Sequence, residues 1–332
     1  MYQIDDIMQK CEAVVRSHAL GNGQYARYLF QNAKGNRNLG PNEYGTADAA
    51  NILYTLNRFP TGEEAKLHAD ALKSFQSAET GLFSEPTHHP IHTTAHCVAS
   101  LELFGEKPSH PVTDLLPYLN STERLYELLD RLDWEGTPWP MSHQGAGIYT
   151  IGVLTNSVSL DWQRDYFKWI YDHSDPKYGL SRIGTIDSGT APICHHLYGW
   201  FHYMFNMDYG RRPLRYPEQL IDSCLKMYSE NLLTDKFARE IGFMEIDWVF
   251  AINRASHQSK HRFDEVQAQL RDFASRFIPY MKSLDYDTHD GANDLHMLFG
   301  ALCALAELQR AIPGEIESST PLRLVLDRRP FI

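Results

Sequence analysis

Apolar side chains recur at i, i+3, i+4 and i+7 along almost the whole chain, and the helices they mark come in two alternating kinds. One kind is amphipathic with a charged face, over 5–18, 63–76, 113–132, 161–173, 217–231 and 261–284. The other is nearly free of charge past its first turn, over 46–57, 92–104, 145–156, 191–206, 244–255 and 293–308. The two kinds alternate strictly, and the charge-poor helices begin roughly every 50 residues, a period that signals stacked two-helix units. A helix wetted on one face belongs outside, and one that is apolar all round must be buried on both sides. The pattern therefore predicts an all-α fold of six helical hairpins, with the charge-poor helices in an inner ring and the charged ones in an outer ring. No linker or charge block divides the series, so residues 1–332 read as one domain. The Gly- and Asn-rich segment 21–41 reads as a long loop over one mouth of the ring, and 312–332 as a C-terminal strap packed outside.

Composition removes several classes of partner. The net charge is −11 and Lys and Arg are scattered, which gives no basic footprint for nucleic acid or an anionic membrane. The uncharged runs 138–160 and 188–207 are interrupted by His, Gly, Pro, Ser and Asn, so they read as helices buried in protein and not in lipid. Acidic residues near the N-terminus stand where a secretory signal needs basic ones, and the expected location is cytoplasmic. The five cysteines are far apart and form no CxxC pair, which reads as buried thiols.

The segment 76–83, QSAETGLF, is followed by a loop and then by His92-Thr93-Thr94-Ala95-His96 opening a charge-poor helix. This turn resembles that of the (α/α)6 toroid superfamilies, which include the terpenoid cyclases with the protein prenyltransferases, and the six-hairpin glycosidases and polysaccharide lyases. A shorter stretch, Asp175-Pro176-Lys177-Tyr178-Gly179-Leu180, repeats the motif. The resemblance covers the whole chain as architecture but only these stretches as motif, and the superfamilies sharing it have unrelated chemistries.

Each charge-poor helix carries polar groups in or near its first turns: Asp48; His92 and His96; His143 and Tyr149; His195 and His196; Glu245 and Asp247; Asp294 and His296. In a ring these positions converge on one mouth, where helix N-termini also favour negative charge. Any one of the acids would serve as an ordinary helix cap, but a set of acids and imidazoles on buried helices points to chemistry or polar-ligand recognition. His92 and His96 share the i, i+4 spacing of a metal-binding pair, yet no HExxH accompanies them, so the site is expected to hold neither metal nor cofactor.

The DxDD and DDxxD strings of terpenoid cyclases are absent, and Asp285-Tyr286-Asp287 has the wrong spacing, which sets a terpenoid cyclase-like enzyme behind a carbohydrate-active one. The main expectation is a glycoside hydrolase acting on uronic-acid-type oligosaccharides with paired carboxylates from Glu245, Asp247, Asp48 and Asp294. His92, His96, His143, Tyr149, His195, His196, Trp200, Trp248, Arg254 and His296 would bind substrate. The alternatives are a uronate lyase using Tyr149, His195 and His196 with Arg182 or Arg254 on the substrate carboxylate, and a non-catalytic ligand-binding toroid. The sequence leaves a homo-oligomer open. Within Met244-Glu245-Ile246-Asp247-Trp248 the two acids project about 200° apart on a helix, so only one of them is expected to face the pocket.

Overall fold

The computed structural model describes residues 1–33 and 35–332; Lys34, within the 21–41 segment, lies outside the described residues. The fold is all-α, with 59% of residues in helix. Among the described residues twelve helices have nine residues or more: α1 Asp5–Ser17, α2 Glu43–Thr55, α3 Gly62–Lys73, α4 Pro90–Leu103, α5 Thr122–Asp130, α6 Pro138–Leu154, α7 Leu160–His173, α8 Ile193–Tyr209, α9 Pro217–Ser229, α10 Met244–Gln258, α11 Phe263–Ser283 and α12 Leu295–Ala311. Among the described residues no helix is long and apolar enough to cross a membrane.

Burial separates the two kinds of helix as the charge pattern predicts. In α2 every residue but Tyr54 is buried, whereas α1 buries only Ile7, Met8, Cys11, Val14 and Val15. The even-numbered helices pack in cyclic order: α2 on α4, α4 on α6, α6 on α8, α8 on α10, α10 on α12, and α12 back on α2. The odd-numbered helices lie against this cycle, and one continuous cluster of buried apolar side chains runs from Ile4 to Ile332.

Local chemistry sets the helix starts. Asn42 caps α2 by accepting the Gly45 N–H at 3.0 Å, Ser121 and Ser159 cap α5 and α7, and Pro occupies the first turn of α4, α6 and α9. The expected helix 113–132 is divided: a 3-10 turn and the short helix Leu116–Leu119 end at Asn120, and Ser121 restarts the chain as α5. Helix α6 begins at Pro138, seven residues ahead of the expected 145, which puts His143 in its second turn. The two turn motifs adopt one hydrogen-bond pattern: Ser77 N–H to Leu82 O with Gly81 N–H to Ser77 O, and Asp175 N–H to Leu180 O with Gly179 N–H to Asp175 O. Gly81 and Gly179 have φ of 74° and 68°, and a Cβ on Gly81 would lie 1.9 Å from Pro111 O.

The two irregular segments position the interior. In 21–41 a short hairpin, β2 Ala19–Gly21 with β3 Gln24–Tyr25, delivers Arg27 to a buried position. The following backbone is pinned by Asn293, whose side chain accepts from Leu29 N–H at 2.8 Å and Phe30 N–H at 3.1 Å. The tail begins outside, where β4 Ile316–Glu317 pairs with β1 Tyr2–Gln3, but it does not stay there. Residues 329–332 turn inward: Arg329 and Phe331 are fully buried, Pro330 O accepts from Thr150 at 2.7 Å, and the Phe331 ring sits 4.9 Å from His92 and 5.6 Å from Phe205. The apolar Phe331 and Ile332 are what allow this segment to insert among the buried helices. Replacing Phe331 by Ala should therefore cost about 3–5 kcal/mol in denaturant unfolding with an unchanged m value; a loss below about 1 kcal/mol would place this segment outside the packed interior.

Candidate functional site

The first turns of α4, α6, α10 and α12 enclose a cavity of about 510 Å³, closed on its other sides by Arg27, Thr87 and His88, by His202 of α8, and by Ile332. Imidazoles dominate its polar lining, with His88, His89, His92, His143, His202 and His296, while Trp139, Met141, Phe243 and Met297 supply apolar walls. Asp247 is the sole side-chain carboxyl among the lining residues. A wider depression of about 1020 Å³ runs along the tail past Arg310, Arg323 and Asp327 and contains none of the residues singled out by sequence.

Of those residues, His92, His143, Asp247 and His296 line the cavity. The two acids of α10 separate as helical geometry requires. Asp247 reaches the cavity, and Glu245 turns away to accept the Ala238 N–H at 3.1 Å. Burial raises both: Glu245 to about 8, and Asp247 well above its ordinary value with Glu245 adding to it, so burial favours the protonated form of Asp247. Asp48 does not line the cavity. It lies beneath it, where its Oδ1 accepts from His96 Nε2 at 2.8 Å and His296 Nδ1 at 3.2 Å. Burial opposes its ionisation, but the two facing rings outweigh that and hold the carboxyl below its ordinary value. Asp294 caps α12 through the His296 N–H and forms a bidentate pair with Arg27 at 2.8 and 3.0 Å, which leaves it no free oxygen.

The remaining expected ligands lie elsewhere. Tyr149 stacks on Tyr166 at 4.7 Å, because its position on α6 faces the flanking helices. Trp248 donates to Cys224 O and stacks on Tyr228, and Trp200 is packed near Tyr203. His195 is half-exposed beside Trp139, and His196 is buried with neither ring nitrogen hydrogen-bonded to a side chain. Arg254 is held by Glu307, Asp208 and Asp327, and Arg182 by Asp130, so neither is free for a substrate carboxylate.

Four important residues escape the sequence reading. Arg27 comes from a loop with no periodicity to mark it. Tyr44 precedes the expected start of α2, and its hydroxyl meets His92 Nδ1. Glu85 lies in the loop before α4, where His88 and Thr87 bond it; burial opposes its ionisation, yet these bonds with Arg27 bring it down to about 2. His202 stands in the third turn of α8, deeper than the first-turn rule allows. Its signal is visible in retrospect as a lone ionisable residue inside the apolar run 200–205.

Five of the imidazoles fall into two groups. Potential ligand atoms of His92, His143 and His202 lie within 4.8 Å of one another, and so do those of Asp48, His96 and His296. His92 and His96, although spaced i, i+4, thus belong to different groups, since a full helical turn separates the depths that the two rings reach. In the first group ring centroids are 4.3 Å apart for His92 and His143, and 4.7 Å for His143 and His202. Burial, reinforced by the neighbouring rings, holds His92 and His143 far below the ordinary histidine value, and burial brings His202 down to about 3. All three are neutral at pH 7, with lone pairs available to an acid, a proton donor or a cation.

Comparison with protein-family models, curated proteins and solved structures finds no match to this chain.

The buried histidines also set acid stability. His68, on α3, and His196 are both brought down to about 4, chiefly by burial. The unfolded chain takes up these protons near pH 6.5 and the folded chain only near 4, so stability falls as pH drops through that window. Each ring contributes a slope of up to ~1.4 kcal/mol per pH unit. Urea unfolding of His68→Gln should show a shallower pH slope than the parent between pH 6.5 and 4.5; identical slopes would mean that His68 takes up its proton alike in the folded and unfolded chain.

Proposed function

We propose that this chain is an (α/α)6 toroid, one domain over 1–332, and a carbohydrate-active enzyme that cleaves uronic-acid-type oligosaccharides by elimination. The toroid is supported by the cyclic packing of α2, α4, α6, α8, α10 and α12 with the charged helices flanking them. The chemistry rests on one observation: His296, backed by Asp48 at its Nδ1, faces the same cavity as the neutral carboxyl of Asp247. An imidazole whose far nitrogen is held by a carboxylate is a positioned general base, and a buried acid that keeps its proton at pH 7 is a general acid.

In this reading His296 Nε2 takes the proton on the carbon next to the uronate carboxylate. The electron pair left behind forms the carbon–carbon double bond, the adjacent glycosidic C–O bond breaks, and Asp247 protonates the departing oxygen. Arg27, the cation on the cavity wall, adds attraction for the substrate carboxylate from a distance, because Asp294 holds its Nε and Nη2 and Thr87 and Glu85 hold its Nη1. Trp139 offers a ring for a sugar face. Hydrolysis by paired carboxylates, the first expectation from sequence, needs a second carboxyl at the cavity. Asp48, Asp294 and Glu245 are each turned to other partners, and this favours elimination.

A panel of uronide oligosaccharides distinguishes the two. Elimination yields an unsaturated uronate seen by ultraviolet absorbance, and hydrolysis yields new reducing ends without it. Asp247→Asn should lower turnover ~10²–10⁴-fold with little change in stability, because the amide replaces a carboxyl that is already neutral. Glu245→Gln should retain activity. Reducing ends without absorbance, or full activity in Asp247→Asn, would overturn the proposal.

A further inference from the structure

We infer that His92, His143 and His202 form a binding site for one divalent transition-metal ion of the zinc type, open on one side to the central cavity. The inference goes beyond the elimination reading and does not depend on it.

Three consecutive buried helices each contribute one imidazole, α4, α6 and α8, and all three rings line the same cavity. Their ligand atoms lie within 4.8 Å of one another. Metal–nitrogen bonds of about 2.1 Å at tetrahedral angles set the ligand atoms about 3.4 Å apart, so small ring rotations close the set. Residues from three separate helices have no packing reason to place three imidazoles together. Neutral imidazoles gain little from one another, and each brings a polar edge out of water.

The groups behind the rings strengthen the case. A metal-bound histidine usually gives its second nitrogen to a hydrogen-bond partner, which fixes the ring and the tautomer. His202 Nδ1 lies 3.0 Å from Ser142 Oγ, and that hydroxyl donates onward to Trp139 O at 2.5 Å. The serine proton is thus committed, so His202 donates and its Nε2 keeps the lone pair. His92 Nδ1 meets the Tyr44 hydroxyl, which leaves its Nε2 toward the cavity. Among the described residues the His143 ring makes no hydrogen bond, although it lies between the other two at centroid distances of 4.3 and 4.7 Å. An imidazole without a partner at the centre of such a group is the feature that an ion would resolve.

The second trio differs. Asp48, His96 and His296 already satisfy one another by hydrogen bonds, and Asp48 and His96 do not reach the cavity. Three neutral nitrogen ligands with a free position suit zinc, cobalt or nickel better than magnesium or calcium, which prefer oxygen. An ion there would present an open coordination position to whatever fills the cavity, so the ligand class is a small molecule with a carboxylate, carbonyl or activated water oxygen.

Cobalt(II) tests the site directly, without any substrate. Chelator-treated protein should bind one equivalent of Co²⁺ with the visible absorption of a tetrahedral nitrogen-ligated ion, and Zn²⁺ should displace it. His143→Gln and His202→Gln should weaken binding on the order of 100-fold and remove the visible bands, while Asp48→Asn keeps them. If a ligand variant fails to fold by circular dichroism, Ser142→Ala keeps all three ligands and should weaken binding ~10–100-fold through loss of the His202 orientation. Absence of visible bands at stoichiometric Co²⁺, bands that persist in both histidine variants, or bands lost in Asp48→Asn alone would overturn the inference.

Discussion

One buried carboxylate joins three helices that are far apart in sequence. Asp48 on α2 accepts from His96 on α4 and from His296 on α12, so a single side chain ties the first buried helix to the second and to the last. A charge in this position is costly unless its hydrogen bonds are supplied, and removing one partner is worse than never having had the pair. The constraint therefore acts on closure: α12 must return to α2 at a register that brings His296 to Asp48, and the order α4, α6, α8, α10 follows from filling the space between. Arg329, brought in by the tail and fully buried, supplies a cation to the same interior.

With the ends of the cycle fixed, the cavity follows from helix geometry. The first turns of α4, α6, α10 and α12 face one another, and their side chains meet around the cavity. Burial accounts for its chemistry. The same burial that keeps Asp247 protonated keeps the imidazoles neutral, so the site holds a proton donor and proton acceptors together at neutral pH. Asp48, Asp294, Glu85 and Arg27 are each paired and lie at the edge of or beneath this space, whereas the Arg329 guanidinium makes no hydrogen bond among the described residues.

The architecture was legible because alternation of charge is a direct record of which helices meet water; all twelve long helices match an expected segment, and α5 is shortened only because Ser121 offers a better cap than continuation past Asn120 offers a helix. The separation of Glu245 from Asp247 followed from a 100° rotation per residue. Depth was not legible. His96 and His202 show this: the first sits below the cavity and the second lines it, although only the first lies near a helix start. Loops and tail were legible only as segments without periodicity, so the inward turn of Phe331 and the delivery of Arg27 depend on long-range packing that a local pattern does not encode.

A double-mutant cycle between Asp48 and His296 tests the central claim. Unfolding free energies would be measured for the parent, Asp48→Asn, His296→Gln and the double variant. A carboxylate that closes the helix cycle through this imidazole predicts a coupling above about 1 kcal/mol, with the double variant less destabilised than the sum of the singles. Effects that add within about 0.3–0.5 kcal/mol would show that the two residues act independently and that closure rests on apolar packing alone.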